Sequence, residues 1–278
     1  MILTQIHIYN RINQADWPIR ADVLKVYGDN VFTASEEDWP PHRKFISGIF
    51  NERNYVQVWR KTITQATQCL AEWTSVSPST EPDGIDGGLK VKDMFNDVQH
   101  ITLNVISTVG LGATMPFSRD GPSNDSQNAE SGEFSNSKAA PGCTLTFRES
   151  ILHIAKEFIA TFITLSLVPT WFIPFASKSM KHRLTAYEDF GRYLRLLVEK
   201  ARAQVQAGQI QQDNLLTSLV RQQQENEKNE QVDPDHKGRK IHTTVTEEDI
   251  LGNAYMITIA GYETTAASLQ YASSNAPI

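Results

Sequence analysis

The sequence predicts a mainly α-helical protein, and three observations carry the prediction. Apolar residues recur at steps of three and four through several segments, and no run of alternating, β-branched residues bounded by turns appears. A nearly uncharged stretch near the end follows a strong helix-start signal. With 278 residues, 40% hydrophobic and 21% charged, the chain can bury a substantial core, which excludes a disordered protein. Its formal charge of -6, with no lysine or arginine cluster, argues against nucleic acid as a partner. Cys69 and Cys143 lie far apart with no CxxC or Cys/His spacing, so neither a metal-ligating set nor a disulfide framework is expected. That usage fits a reducing compartment.

Taken in order, Met1 to Asn30 holds apolar residues only in short pieces, broken by Asn10, Arg11, Asn13, Asp16 and Arg20. No signal-peptide core or anchor is expected there. Trp39-Pro40-Pro41-His42-Arg43 reads as a helix start with Asp38 as N-cap and prolines in the first turn, where they are tolerated. The i, i+4 spacing aims an indole N–H and a guanidinium the same way, a pair suited to a carboxylate. A rim arginine paired with Glu36 or Asp38 would look the same in sequence.

Trp59, Ile63, Ala66 and Leu70 mark a second helix. Val91, Phe95, Val98, Ile101, Val105 and Val109 form the core stripe of a third, ended by Gly110 and Gly112. Phe158 to Ser177 carries no charge, but Pro169 and Pro174 make it a helix ending near Leu167 and an apolar loop rather than a membrane span. Trp171 and Phe172 would lie near a membrane surface or a substrate entrance. Met180, Leu184, Tyr187, Gly191, Leu194, Val198, Ala201 and Val205 define a long amphipathic helix with a solvated basic side. Residues 75–90, 118–142 and 222–244 are polar and turn-rich. They are expected to be surface loops, with 118–142 and 222–244 disordered and 118–142 an insertion.

The final helix is the most informative. Thr246-Glu247-Glu248-Asp249 fits a capping box, and the helix then runs to about Ser273 with Glu263 its one charge beyond that first turn. Being apolar on nearly every side, it is expected to be buried. An unpaired buried Glu263 is costly, and Gly261 in mid-helix costs about 1 kcal/mol against alanine, so two penalties side by side suggest function. Met256, Ala260, Thr264 and Ala267 share one face, and Ala260 and Gly261 leave room there for a flat group beside the Thr264 hydroxyl. The bland alternative is that Gly261 permits a close helix crossing, Glu263 forms a salt bridge and both threonines bond internal carbonyls.

Ala260-Gly261-Tyr262-Glu263-Thr264-Thr265 resembles the oxygen-activating A/G-G-x-D/E-T-T motif of the cytochrome P450 superfamily, and Trp39 to Arg43 resembles its WxxxR motif. The resemblance implies the central part of that fold and a haem-dependent monooxygenase that uses dioxygen and reductase electrons on a small apolar organic substrate. On it, Glu263 and Thr264 are the catalytic candidates, relaying protons. Trp39 and Arg43 would hold a haem propionate, and His42 would be a bystander or minor propionate contact. Ala260 and Gly261 would make room for haem and oxygen, and Met256, Ala260 and Thr265 would line the substrate pocket. The notch is expected to be enclosed, with Glu263 and Thr264 kept from open water.

The family's axial cysteine segment, F-x-x-G-x-R-x-C-x-G, has no match, since neither Cys69 nor Cys143 has the required neighbours. Residues 1–278 are therefore expected to form a partial domain, a truncated or mispredicted gene product that is inactive alone. The alternative is a non-catalytic helical fragment or interaction protein. By resemblance the parent enzyme belongs at the endoplasmic reticulum membrane, while this chain, with no anchor expected, would be soluble or cytoplasmic.

Overall fold

A computed structural model describes residues 25–34, 39–75, 93–117, 138–157, 160–161, 176–208, 214–232 and 246–275. Among them all regular structure is helical: α1 (Trp39–Ser47), α2 (Glu52–Ser75), α3 (Met94–Leu111), α4 (Phe147–Lys156), α5 (Lys178–Gln206), α6 (Leu215–Val232) and α7 (Glu247–Ser274). The mainly α fold is as the periodicity predicts. No described helix is long and apolar enough to cross a membrane.

Helix ends follow local chemistry. At α7 the Thr246 hydroxyl accepts from the Asp249 amide at 3.1 Å, and Asp249 accepts from the Thr246 amide at 2.8 Å, the capping box expected from sequence. Thr146 and Glu149 build the same device at α4. Gly112 closes α3 in the left-handed conformation (φ 73°), where its amide reaches the carbonyl of Thr108. Gly110 lies inside that helix rather than ending it.

α3 sits between α7 and α2, and α5 lies between α4 and α6. Their shared core includes Leu103, Leu111, Phe147, Ile151, Phe190, Leu194, Leu216, Ile250 and Tyr255. The α3 stripe is core as expected: Val98, Val105 and Val109 are buried, while Val91 falls outside the described residues. On α5 the predicted inner face packs inward at Gly191, Leu194, Val198 and Ala201.

One loop expectation fails. Residues 222–232 continue α6 instead of forming a loop. Gln, Glu and Lys extend a helix readily once Leu215, Leu216, Leu219 and Val220 have docked its first turns. The remainder of that loop, most of 75–90, residues 118–137 and nearly all of 158–175 lie outside the described residues. α2 is the helix expected from Trp59, Ile63, Ala66 and Leu70, and its stripe faces outward, with Trp59 68%, Ile63 49% and Leu70 52% exposed. Asn54, Gln65 and Cys69 face inward instead. The reason is a polar seam: Gln65 donates to the Met115 carbonyl at 2.9 Å and accepts from Asn104 at 2.7 Å, and the Trp73 indole donates to Asp97 at 2.8 Å.

His100 of α3 is buried edge-on to Phe117 with its Nδ1 unpartnered. Burial, aided by Arg148 and Lys156, lowers its pKa from 6.5 to about 4. The folded state therefore binds fewer protons than the unfolded state between those values, and stability falls as pH drops through that window. The expected loss is about 3 kcal/mol by pH 4. Urea unfolding of wild type and His100→Gln at pH 7, 5 and 4 checks it, because the variant should lack that part of the slope.

Candidate functional site

The site is built on α7 and α1. α7 docks through Leu251, Tyr255, Thr258, Tyr262 and Ala266, a buried stripe at steps of four, three, four and four. The predicted face of Met256, Ala260, Thr264 and Ala267 is coherent and points the other way, half-buried at Met256 and exposed from Ala260 onward. Thr265 and Glu263 flank it, both exposed.

The expected enclosure is therefore corrected. Glu263 and Thr264 face solvent, because among the described residues the second half of α7 is covered only along its Tyr262 and Ala266 side. Glu263 has no ion pair among the described residues. Gly261 is half-buried, and a Cβ there would meet Ile106 Cδ1 of α3 at 3.2 Å. It permits a close helix crossing, as the bland reading held, while its neighbour Ala260 stays open. The Thr264 hydroxyl donates to the Ala260 carbonyl at 2.6 Å. Tyr262, between them, is fully buried with an unpartnered hydroxyl, and burial, reinforced by the Glu263 charge, pushes its phenol up to about 12.

On α1, Trp39 and Arg43 share one exposed face, with the guanidinium carbon 4.9 Å from the indole centroid. No carboxylate among the described residues pairs with Arg43, and Glu36 and Asp38 lie outside them. Both donors are open to an anion.

His42 is buried on the opposite side of α1 and ties it to α7. Its Nδ1 lies 3.0 Å from Asn253 Nδ2, which can only donate, so the ring proton sits on Nε2, 3.7 Å from Asp249. Asn253, wholly buried, also accepts from the Val31 amide at 2.9 Å and donates to the Asp249 carbonyl at 2.7 Å. Sequence reasoning missed this residue. Its signal was a lone amide inside the apolar run Ile250-Leu251-Gly252-Asn253-Ala254. Beside it, Gly252 lets the Gly28 and Asp29 carbonyls approach, since a Cβ would stand 2.6 and 2.5 Å from their oxygens. Asn253 and Ala260 are seven residues apart, about 10 Å along the helix. The anion-seeking pair on α1 is thus anchored to the same rod that carries the small-residue face.

The two thiols stand elsewhere. Cys69 is buried on α2, and Cys143 is half-buried beside Tyr193, Asp189 and Arg192, where burial raises its pKa.

Among the described residues the fold is helical, and the open small-residue face of α7, with an acid and an alcohol upon it, is tied to an exposed indole and guanidinium pair on α1. The cytochrome P450 family profile matches residues 7–272, so the chain belongs to the cytochrome P450 family. It is 26% identical over 257 residues to cytochrome P450 monooxygenase ORF6 of Penicillium roqueforti, covering 90% of this chain and 38% of that one. The same figures relate it to cytochrome P450 monooxygenase prx9 of Penicillium rubens. A phomenoic acid biosynthesis cluster cytochrome P450 monooxygenase of Leptosphaeria maculans is 20% identical over 277 residues, 98% of this chain and 41% of that one. The chain thus spans about two fifths of the length of these relatives. Each of these relatives is a cytochrome P450 monooxygenase, and haem is the cofactor that the family implies. The open Trp39 and Arg43 donors fit the carboxylate arms of a haem, and Ala260 fits a flat group lying close. No described cysteine lies on either element.

Proposed function

We propose that this chain carries the oxygen-activating helix and a propionate-binding helix of a monooxygenase that oxidises a small apolar organic substrate with reductase electrons. The observation that carries the reading is the open face of α7 joined to α1 through His42 and Asn253. Haem, when bound, supplies the reductive activation of dioxygen. Trp39 and Arg43 donate to its carboxylates. Ala260 leaves space, and Met256 and Thr265 contact the substrate. The Thr264 hydroxyl now donates to Ala260, which leaves its oxygen free to accept a proton donor, and a turn about χ1 lets it donate outward. Glu263, exposed to solvent, exchanges protons with water and passes them toward Thr264.

In this reading the chain alone is inactive, because neither Cys69 nor Cys143 supplies the thiolate. The open α7 face and the exposed α2 stripe favour the second reading for the isolated polypeptide, a non-catalytic helical fragment. The parent enzyme's place, on the same reading, is the endoplasmic reticulum membrane. Reduced, haem-supplemented chain under carbon monoxide should show no shifted Soret band of cysteine ligation. A clear shifted band would assign the ligand to Cys69 or Cys143 and end the claim of inactivity.

In a form extended to the relatives' length, Thr264→Ala should lower product formed per electron pair by about tenfold or more while sparing haem binding. Unchanged coupling removes Thr264 from the mechanism.

A further inference from the structure

A pair of histidines lies apart from that site. His153, in the last turn of α4, and His182, in the first turns of α5, bring their Nε2 atoms to 2.7 Å, with ring centroids 4.1 Å apart and planes at 86°. The two rings come from separate, closely packed helices, so they are held together by the fold rather than by local sequence. Two neutral imidazoles at this separation share one proton between two lone pairs. Imidazole nitrogen is also the ligand preferred by zinc, copper and nickel, and a single cation satisfies both lone pairs at once.

The surroundings mix charges of both signs, with Lys156 and Arg183 beside Glu157. His153 stands at the C-terminal end of α4, where the helix dipole is negative. The Glu157 carboxylate, one turn on, lowers the local potential further while it pairs with Arg183 beside His182. Bond lengths of about 2.0 Å at a tetrahedral angle separate two ligating nitrogens by about 3.3 Å. The pair need open by only about 0.6 Å, and His182 is exposed enough to move. Among the described residues no set of three or more metal-ligating side chains gathers. A cation held there would have two protein ligands among the described residues, leaving its remaining positions to water.

We propose that His153 and His182 bind a divalent late transition-metal cation, with zinc as the representative, and that this cation staples the end of α4 to the start of α5. Zinc chloride titrated into the purified chain by calorimetry tests the proposal, with magnesium chloride as control. The expected result is one saturable zinc site that magnesium does not fill, together with a higher thermal midpoint in zinc. His182→Gln, at an exposed position, should keep the helical circular dichroism yet weaken zinc binding by at least about tenfold and lose the thermal shift. His153→Gln should do the same. Absence of saturable binding in the folded wild type overturns the proposal, as does zinc binding undiminished in His182→Gln.

Discussion

Gly252→Val is expected to lower the unfolding free energy by about 3 kcal/mol or more and to release residues 25–34 from α7. The Cβ position is 2.5 Å from the Asp29 carbonyl oxygen and 2.6 Å from that of Gly28. Both obstacles are backbone, so no side-chain rotation relieves the overlap. Gly28 is itself pressed against α7: its φ is 140°, and a Cβ there would meet the Glu248 carbonyl oxygen at 2.3 Å. A residue with better helix propensity regains about 1 kcal/mol at most in α7, too little to offset the clash. Chemical denaturation gives the loss, and faster proteolytic cleavage near Tyr27 under native conditions reports the released segment. A variant as stable as wild type would mean that the segment does not press on the helix.

Asn253→Leu should cost about 3 kcal/mol although leucine is similar in size. The substitution leaves the Val31 amide and His42 Nδ1 without the partners they now have at 2.9 and 3.0 Å. Unpaired polar groups in such surroundings cost about 1–3 kcal/mol each. Asn253→Asp is the informative control: it retains the acceptor for Val31, turns the side chain toward His42 from donor to acceptor, and should lose less. Equal losses in the two variants would show that the bonds donated by the Asn253 amide, to His42 and to the Asp249 carbonyl, set the stability of this junction. In an enzyme of full length, the same leucine should also loosen haem retention, since α1 carries Trp39 and Arg43 and is fastened to α7 here.

The parts legible in the sequence were those governed by local chemistry. Thr246 and Asp249 announced the start of α7, Gly112 the end of α3, and the four-residue step from Trp39 to Arg43 their common face. The motif around Thr264 gave the family, which the profile over residues 7–272 bears out. What stayed hidden depends on partners distant in the chain. Periodicity cannot reveal whether an apolar stripe finds a neighbour: Trp59 and Ile63 mark α2 as the valines mark α3, yet they face water. It cannot register a buried amide such as Asn253, whose bonds reach Val31, 222 positions away. Nor can it bring together His153 and His182, which meet across 29 positions. The helical residues 222–232 were hidden for a different reason: their composition suits a solvated loop and a solvated helix equally.

Four hydroxyls along α7 turn back onto their own helix: Thr258, Thr264, Ser268 and Ser273 each donate to the carbonyl four residues earlier, at 2.6 to 2.8 Å. Each such carbonyl already serves an amide, and sharing it slackens that turn. Mechanically, α7 is clamped where Asn253 and Tyr255 are gripped and again along Tyr262 and Ala266, while the slackened turns lie beside its open face. Whatever lies against its open side meets a surface that yields, and a bow of the helix axis carries the Thr264 hydroxyl with it.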